Sequence, residues 1–137
     1  MSLSRQPDDR SAKPDAAVPA AAPVLLACLC AAWCRTCAEY RATFEAVAAE
    51  FGPSALTVRW VDIEDDEQTL GGVDVVDFPT LLIAPSDDHV SFFGPVLPHA
   101  QTVRALLQRA VAGELDAVSP AERADLAGLP QRLRALD

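Results

Sequence analysis

Apolar side chains fall into distinct periodic patterns along the 137-residue chain. Residues 24–31, Val-Leu-Leu-Ala-Cys-Leu-Cys-Ala, are apolar without a break, as in a central strand covered on both faces. Strand alternation puts Leu26, Cys28 and Cys30 on one face and Leu25, Ala27 and Leu29 on the other. Cys37, Tyr40, Phe44, Val47, Ala48 and Phe51 then recur at steps of three and four, the stripe of a helix that Gly52-Pro53 ends. Residues 56–63 predict a second strand, with Leu56, Val58 and Trp60 on one face. The acidic run Glu64-Asp-Asp-Glu67 opens a short helix, where carboxylates suit the positive end of the dipole, and Gly71-Gly72 closes it. A third strand over 80–84 turns through 85–88 into a fourth over 89–93, ended by Gly94-Pro95. The last long helix covers 99–112, with Val103, Leu106, Leu107, Ala110 and Val111 as its stripe and Gly113 as its cap. Ser119-Pro-Ala-Glu122 has the form of a capping box and predicts a short helix over 120–127, which Gly128 and Pro130 break before a charged tail.

Strand–helix–strand at the start requires a right-handed crossover and a parallel pair. The hairpin adds antiparallel strands, and helices must cover both faces. The expected fold is an α/β three-layer sandwich on a mixed four-stranded sheet. Residues 23–113 form the domain, preceded by an Ala- and Pro-rich tail over 1–22 and followed by an extension over 114–137 that carries the short helix.

Composition narrows the function. Half of the residues are apolar and 23% are charged, as in a folded domain. The net charge of -9 repels phosphate backbones and anionic lipid, so neither nucleic acid nor membrane is an expected partner. Residues 16–33 carry no charge, but Pro19 and Pro23 interrupt them and only 24–29 are strongly hydrophobic. That is shorter than the roughly 20 residues a spanning helix needs. The segment before it mixes both charge signs, unlike a secretory leader, so a cytoplasmic protein is expected.

All four cysteines lie between positions 28 and 37. Clustered in this way they cannot staple distant parts of a fold; they mark a redox or metal site. Trp33-Cys34-Arg35-Thr36-Cys37 sits where the first strand becomes the first helix. Two intervening residues in a first helical turn bring the sulfurs within disulfide range, and the free N–H groups there suit an anionic sulfur. Cys34, at the turn, is the attacking nucleophile; Cys37, inside the helix, resolves the mixed disulfide. Arg35 adds a positive charge and Trp33 a flat apolar contact. A working redox pair, an inert pair on a binding module and a metal site all remain open from the spacing alone. A zinc site needs four converging ligands, drawn from these cysteines and His89 or His99. Cys28 and Cys30 read as small core residues, two positions and about 6.5–7 Å apart on one strand, which disfavours a bridge between them. A sharper alternative has Cys28, beneath the pair, exchanging with Cys37. Trp60 reads as core packing.

Phe78-Pro79-Thr80 stands just before the third strand. Together with the strand–Trp-Cys-x-x-Cys–helix it resembles the thioredoxin family over residues 24–112. The resemblance implies a cis bond at Pro79, facing the cysteines. It also implies a substrate groove built by Trp33, Arg35, Thr36, Phe78, Pro79, Thr80 and Gly94. Three departures stand out. The family's buried Asp falls on Cys28 and its Lys partner on Trp60, so the charged pair thought to handle protons at the resolving cysteine is missing. Water, Glu64 or Cys28 itself would have to take over. Arg35-Thr36 replaces Gly-Pro, restoring a backbone N–H near the thiolate and favouring a more oxidising pair. The family's first strand and helix have no counterpart in the tail, so a trimmed fold is expected. The resemblance implies a monomeric thiol–disulfide oxidoreductase of cell redox homeostasis without bound cofactor or metal. It would act on protein disulfides and be recharged by a flavoprotein reductase or a small dithiol. The competing class is a non-catalytic module that holds client polypeptides in the same groove.

Overall fold

The computed structural model describes residues 23–119 and 123–136. Among them, β1 (Val24–Cys30), α1 (Arg35–Phe51), β2 (Leu56–Asp62), α2 (Glu67–Leu70), β3 (Thr80–Ala84), β4 (Phe92–Pro95), α3 (Ala100–Val111) and α4 (Leu129–Arg134) follow in chain order. The tail over 1–22, and with it the expectation of a missing first strand and helix, lies outside the described residues.

The described strands form a four-stranded sheet in the order β2-β1-β3-β4. β1 runs parallel to β2 from Val24↔Leu56 to Cys30↔Asp62. It runs antiparallel to β3 from Leu25↔Ala84 to Leu29↔Thr80. β3 and β4 form the hairpin. The unbroken apolar run of β1 has the expected cause: all of Leu25 to Cys30 are buried, each strand face beneath a helical layer. On one face Leu26, Cys28 and Cys30 pack with Tyr40, Phe44 and Val47 of α1 and Val103 and Leu107 of α3. On the other, Leu25, Ala27 and Leu29 pack with Leu70 of α2 and Leu129 and Leu133 of α4. The mixed three-layer α/β sandwich read from the sequence is the observed fold. No helix among the described residues is long and apolar enough to cross a membrane.

Three elements differ from the reading. The acidic run does not open α2 at Glu64: residues 64–66 form turns, and the helix starts at Glu67. The fourth strand pairs from Phe92 to Pro95 instead of over 89–93. An isolated Ser86↔His89 bridge closes the turn first, and Ser91 N–H bonds to Ile83 O at 2.7 Å before the ladder begins. Pro95 ends the ladder on an edge strand, where a missing N–H is tolerated. The expected helix over 120–127 is replaced, among its described residues, by a single 3-10 turn at Ala124–Leu126. The true helix is α4, and the residues read as its breakers start it. Gly128 takes φ 78° ahead of the first turn, and Pro130 sits inside that turn, where no N–H is needed. α4 is held tightly. Arg59 of β2 donates to Leu133 O at 3.1 Å and Arg134 O at 2.8 Å, the negative end of the short helix. Arg134 donates to Pro23 O and Ala84 O and pairs with Asp87 at 3.0 Å. The C-terminal segment therefore completes the second helical layer over the sheet.

Candidate active site

β1 ends at Cys30, and the chain turns through Ala31-Ala32-Trp33 onto the N-cap residue Cys34. Cys34 N–H bonds to Ala31 O at 3.0 Å, and Cys34 O accepts from Ala38 N at 3.1 Å, the first turn of α1. The cap has extended backbone and no side-chain cap bond, and the first turn holds no acidic residue. The Cys34 side chain is a free thiol, half-buried against the edge of the core. Arg35 and Thr36 are exposed beside it. Cys37, one turn into the helix, faces inward and is 2% exposed.

The register Leu29↔Thr80 brings the start of β3 to the same end of the sheet as the cysteine turn. The Phe78–Pro79 peptide bond is cis, as the resemblance implied. Thr80 Oγ1 donates to Asp77 O at 2.6 Å and Pro79 O accepts from Val96 N at 3.0 Å, which pins this loop from both sides. Trp33 meets Phe78 edge to face, ring centroids 5.5 Å apart, and so joins the two loops. Trp33 nonetheless stays 67% exposed, an apolar plate beside the Cys34 thiol. Gly94 lies on β4 opposite Leu81; the shallow depression it lines with Thr80 and Pro95 opens toward Asp77 and Arg123, and neither Trp33 nor Cys34 lines it.

The sulfurs hold the main surprise. Cys37 is bonded to Cys30, with Cα atoms 5.9 Å apart, whereas the sequence pointed to Cys34 as its partner. Cys28 Sγ lies 3.5 Å from Cys30 Sγ. Because a disulfide sulfur carries no hydrogen, Cys28 is the donor of that contact. Burial pushes the Cys28 thiol up to about 12, so it stays protonated. The Tyr40 hydroxyl is raised too, by burial first and then by charge on Cys28. It has no hydrogen-bond partner among the described residues.

Sequence reasoning placed Cys30 in the core and weighed it only as a candidate zinc ligand, not as the partner of Cys37. Its burial is correct, but burial does not stop a strand-end sulfur from meeting a helix sulfur across a tight turn. The signal was present: Cys30 is on the helix-facing side of β1, and Cys37 opens the stripe that packs on that side. Cys28 and Trp60, set against the family's Asp and Lys, are cross-strand partners. Trp60 packs edge to face on Phe44 at 5.6 Å with the Arg41 guanidinium 5.1 Å from its ring, so apolar packing fills the place of a charged pair. Glu64 is exposed in a turn that Asp62 closes by accepting from the Glu64 and Asp65 N–H groups. Among the described residues no three His, Cys, Asp or Glu side chains cluster so as to hold a metal ion.

The fold resembles several solved structures. The germline-specific thioredoxin Deadhead of Drosophila melanogaster superposes with TM-score 0.57 at 16% identity, covering 69% of this chain and 87% of that one. A malarial protein gives 0.55 at 16%, over 64% and 97%. Human ERp44 gives 0.51 at 17%, over 71% of this chain and 29% of its own length. At such identities these likenesses speak for the fold. No curated protein matches the chain in sequence. The sequence profile of the thioredoxin family does match, over residues 10–107. With that span, the cis-proline loop and the cysteine turn at one end of the sheet, the chain belongs to the thioredoxin family.

Proposed function

We propose that this protein is a thiol–disulfide oxidoreductase that exchanges disulfides with other polypeptides through Cys34 and Cys37. The observation that carries the reading is the half-buried free thiol of Cys34 at the N-cap of α1, three positions before a second redox-capable sulfur. Side chains three apart on a helix are neighbours, so Cys37 can turn from Cys30 to Cys34. The Cys34 thiolate attacks one sulfur of a substrate disulfide. A Cys34–substrate bond forms, the substrate bond breaks, and the other substrate sulfur leaves as a thiolate. Cys37 then attacks Cys34, the Cys34–Cys37 bond forms, and the second substrate sulfur leaves. The substrate gains two electrons and two protons, and the protein dithiol loses them. A dithiol or a reductase restores the protein. Trp33 and Phe78 give an extended substrate an apolar edge to lie against.

The adaptor reading has one observation of its own: Val76, two residues before Phe78, is a large apolar side chain left 81% exposed. Insulin reduction by dithiothreitol separates the two. Wild type accelerates it and Cys34→Ser does not, with far-UV circular dichroism unchanged. Polypeptide binding without acceleration by wild type favours the adaptor instead.

A further inference from the structure

Cys34 and Cys37 account for the exchange proposed above and leave Cys30 without a task. Yet Cys37 is bonded to Cys30 at the end of β1 and stands three positions after Cys34, the N-cap of its own helix, the spacing at which side chains are neighbours. Cys34 and Cys30 differ sharply in access. Cys34 is half-buried, whereas Cys30 and Cys37 are 1% and 2% exposed. Thiol–disulfide exchange needs an in-line approach to a sulfur, and neither a polypeptide nor a dithiol reaches a sulfur buried to that degree without local opening.

From this geometry we propose that the disulfide of Cys37 occupies two positions, an outer one to Cys34 and an inner one to Cys30, and that Cys34 is the gate between them. The proposal rests on the exchange reading above. In the inward step the Cys30 thiolate attacks Cys37 Sγ of the outer disulfide. The Cys30–Cys37 bond forms, the Cys34–Cys37 bond breaks, and Cys34 leaves as a thiolate. Cys30 has given up one proton and Cys34 takes one, with no net change in oxidation. The outward step is the reverse: Cys34 attacks Cys37 Sγ and Cys30 leaves. The Cys28 thiol, 3.5 Å from Cys30 Sγ, donates to that leaving sulfur and acts as a positioning residue.

The inner state is oxidised and yet presents a free surface thiol. In it Cys34 can still attack a client disulfide, but Cys37 is occupied and does not release the product. The client stays covalently attached until a dithiol attacks the mixed disulfide. One fold thus alternates between turnover and retention, according to where its own disulfide sits.

The test starts with folded wild type oxidised by oxidised glutathione, quenched in acid, alkylated and mapped by mass spectrometry. The expected product is Cys30–Cys37, with Cys28 and Cys34 alkylated. Reduction by dithiothreitol is then timed. In Cys34→Ser the inner disulfide is reduced at least about tenfold more slowly than in wild type, because the reductant must wait for local opening. Serine is a favoured N-cap residue, so this variant keeps its helix. Recovery of Cys34–Cys37 alone from wild type, or equal reduction rates in the two proteins, overturns the gate. If those results come with insulin reduction by wild type intact, the gate falls and the oxidoreductase reading stands. Failure of wild type to reduce insulin removes the parent reading and the gate with it.

Discussion

Replacing Arg59 with methionine tests whether the C-terminal helix is an integral layer of the fold. The Arg59 guanidinium donates to Leu133 O at 3.1 Å, Arg134 O at 2.8 Å and Val58 O at 3.0 Å. The first two are carbonyls in the last turn of α4. Methionine keeps most of the apolar stem and removes all three donors. Hydrogen bonds from charged groups are worth about 1.5–3 kcal/mol each, and the partial exposure of Arg59 favours the low end. The bond to Val58 is local and adds little. The expected loss is about 2–3 kcal/mol, or a fall in Tm of roughly 6–10 °C for a chain of this size. Urea unfolding followed by tryptophan fluorescence reads it, with Arg59→Lys recovering part of the loss. A change below about 0.5 kcal/mol, within the range of ordinary surface substitutions, would refute the docking role of Arg59.

Tyr40→Phe removes a buried hydroxyl with no partner among the described residues and leaves stability unchanged or raises it by up to about 1 kcal/mol; a loss of that size would mean the hydroxyl is bonded. Cys28 gives the protein an alkaline weakness. Its folded value of about 12 lies above the ordinary 9.0, so its contribution is full below pH 9 and is lost as pH rises toward 12. At pH 10 the unfolded chain gains about 1.4 kcal/mol from ionising this thiol. The fall in unfolding free energy from pH 8 to pH 10 should shrink by that amount in Cys28→Ala, and an unchanged fall would show that the thiol is not desolvated. Trp33→Ala lowers the rate with insulin roughly fivefold, about 1 kcal/mol of lost contact, while the rate with a small aromatic disulfide holds; an equal loss on both would make Trp33 a structural residue.

Most of the architecture was legible because the relevant signals are local. An unbroken apolar run, a three-and-four stripe and Gly-Pro punctuation located β1, α1 and the crossover. The cis bond at Pro79 became an expectation through family resemblance, since no local pattern distinguishes cis from trans. Two kinds of information were missing. Gly128 and Pro130 are read locally as breakers, yet the same residues start α4, and only the apolar partners of Leu129 and Leu133 across the sheet decide between the roles. The pairing of Cys37 was hidden in a similar way. Cys-x-x-Cys spacing speaks for the helix neighbour Cys34, whereas the bond to Cys30 depends on how the strand end and the helix face meet in space.

The most direct test of the account is covalent trapping on Cys37→Ala. This variant lacks the resolving sulfur and keeps Cys34 at its N-cap. Incubated with insulin, it should accumulate a mixed disulfide that mass spectrometry places on Cys34, and the Cys34→Ser/Cys37→Ala double variant should form none. No adduct at all, or an adduct on Cys28 or Cys30 with Cys34 free, would contradict the claim that Cys34 is the attacking thiol.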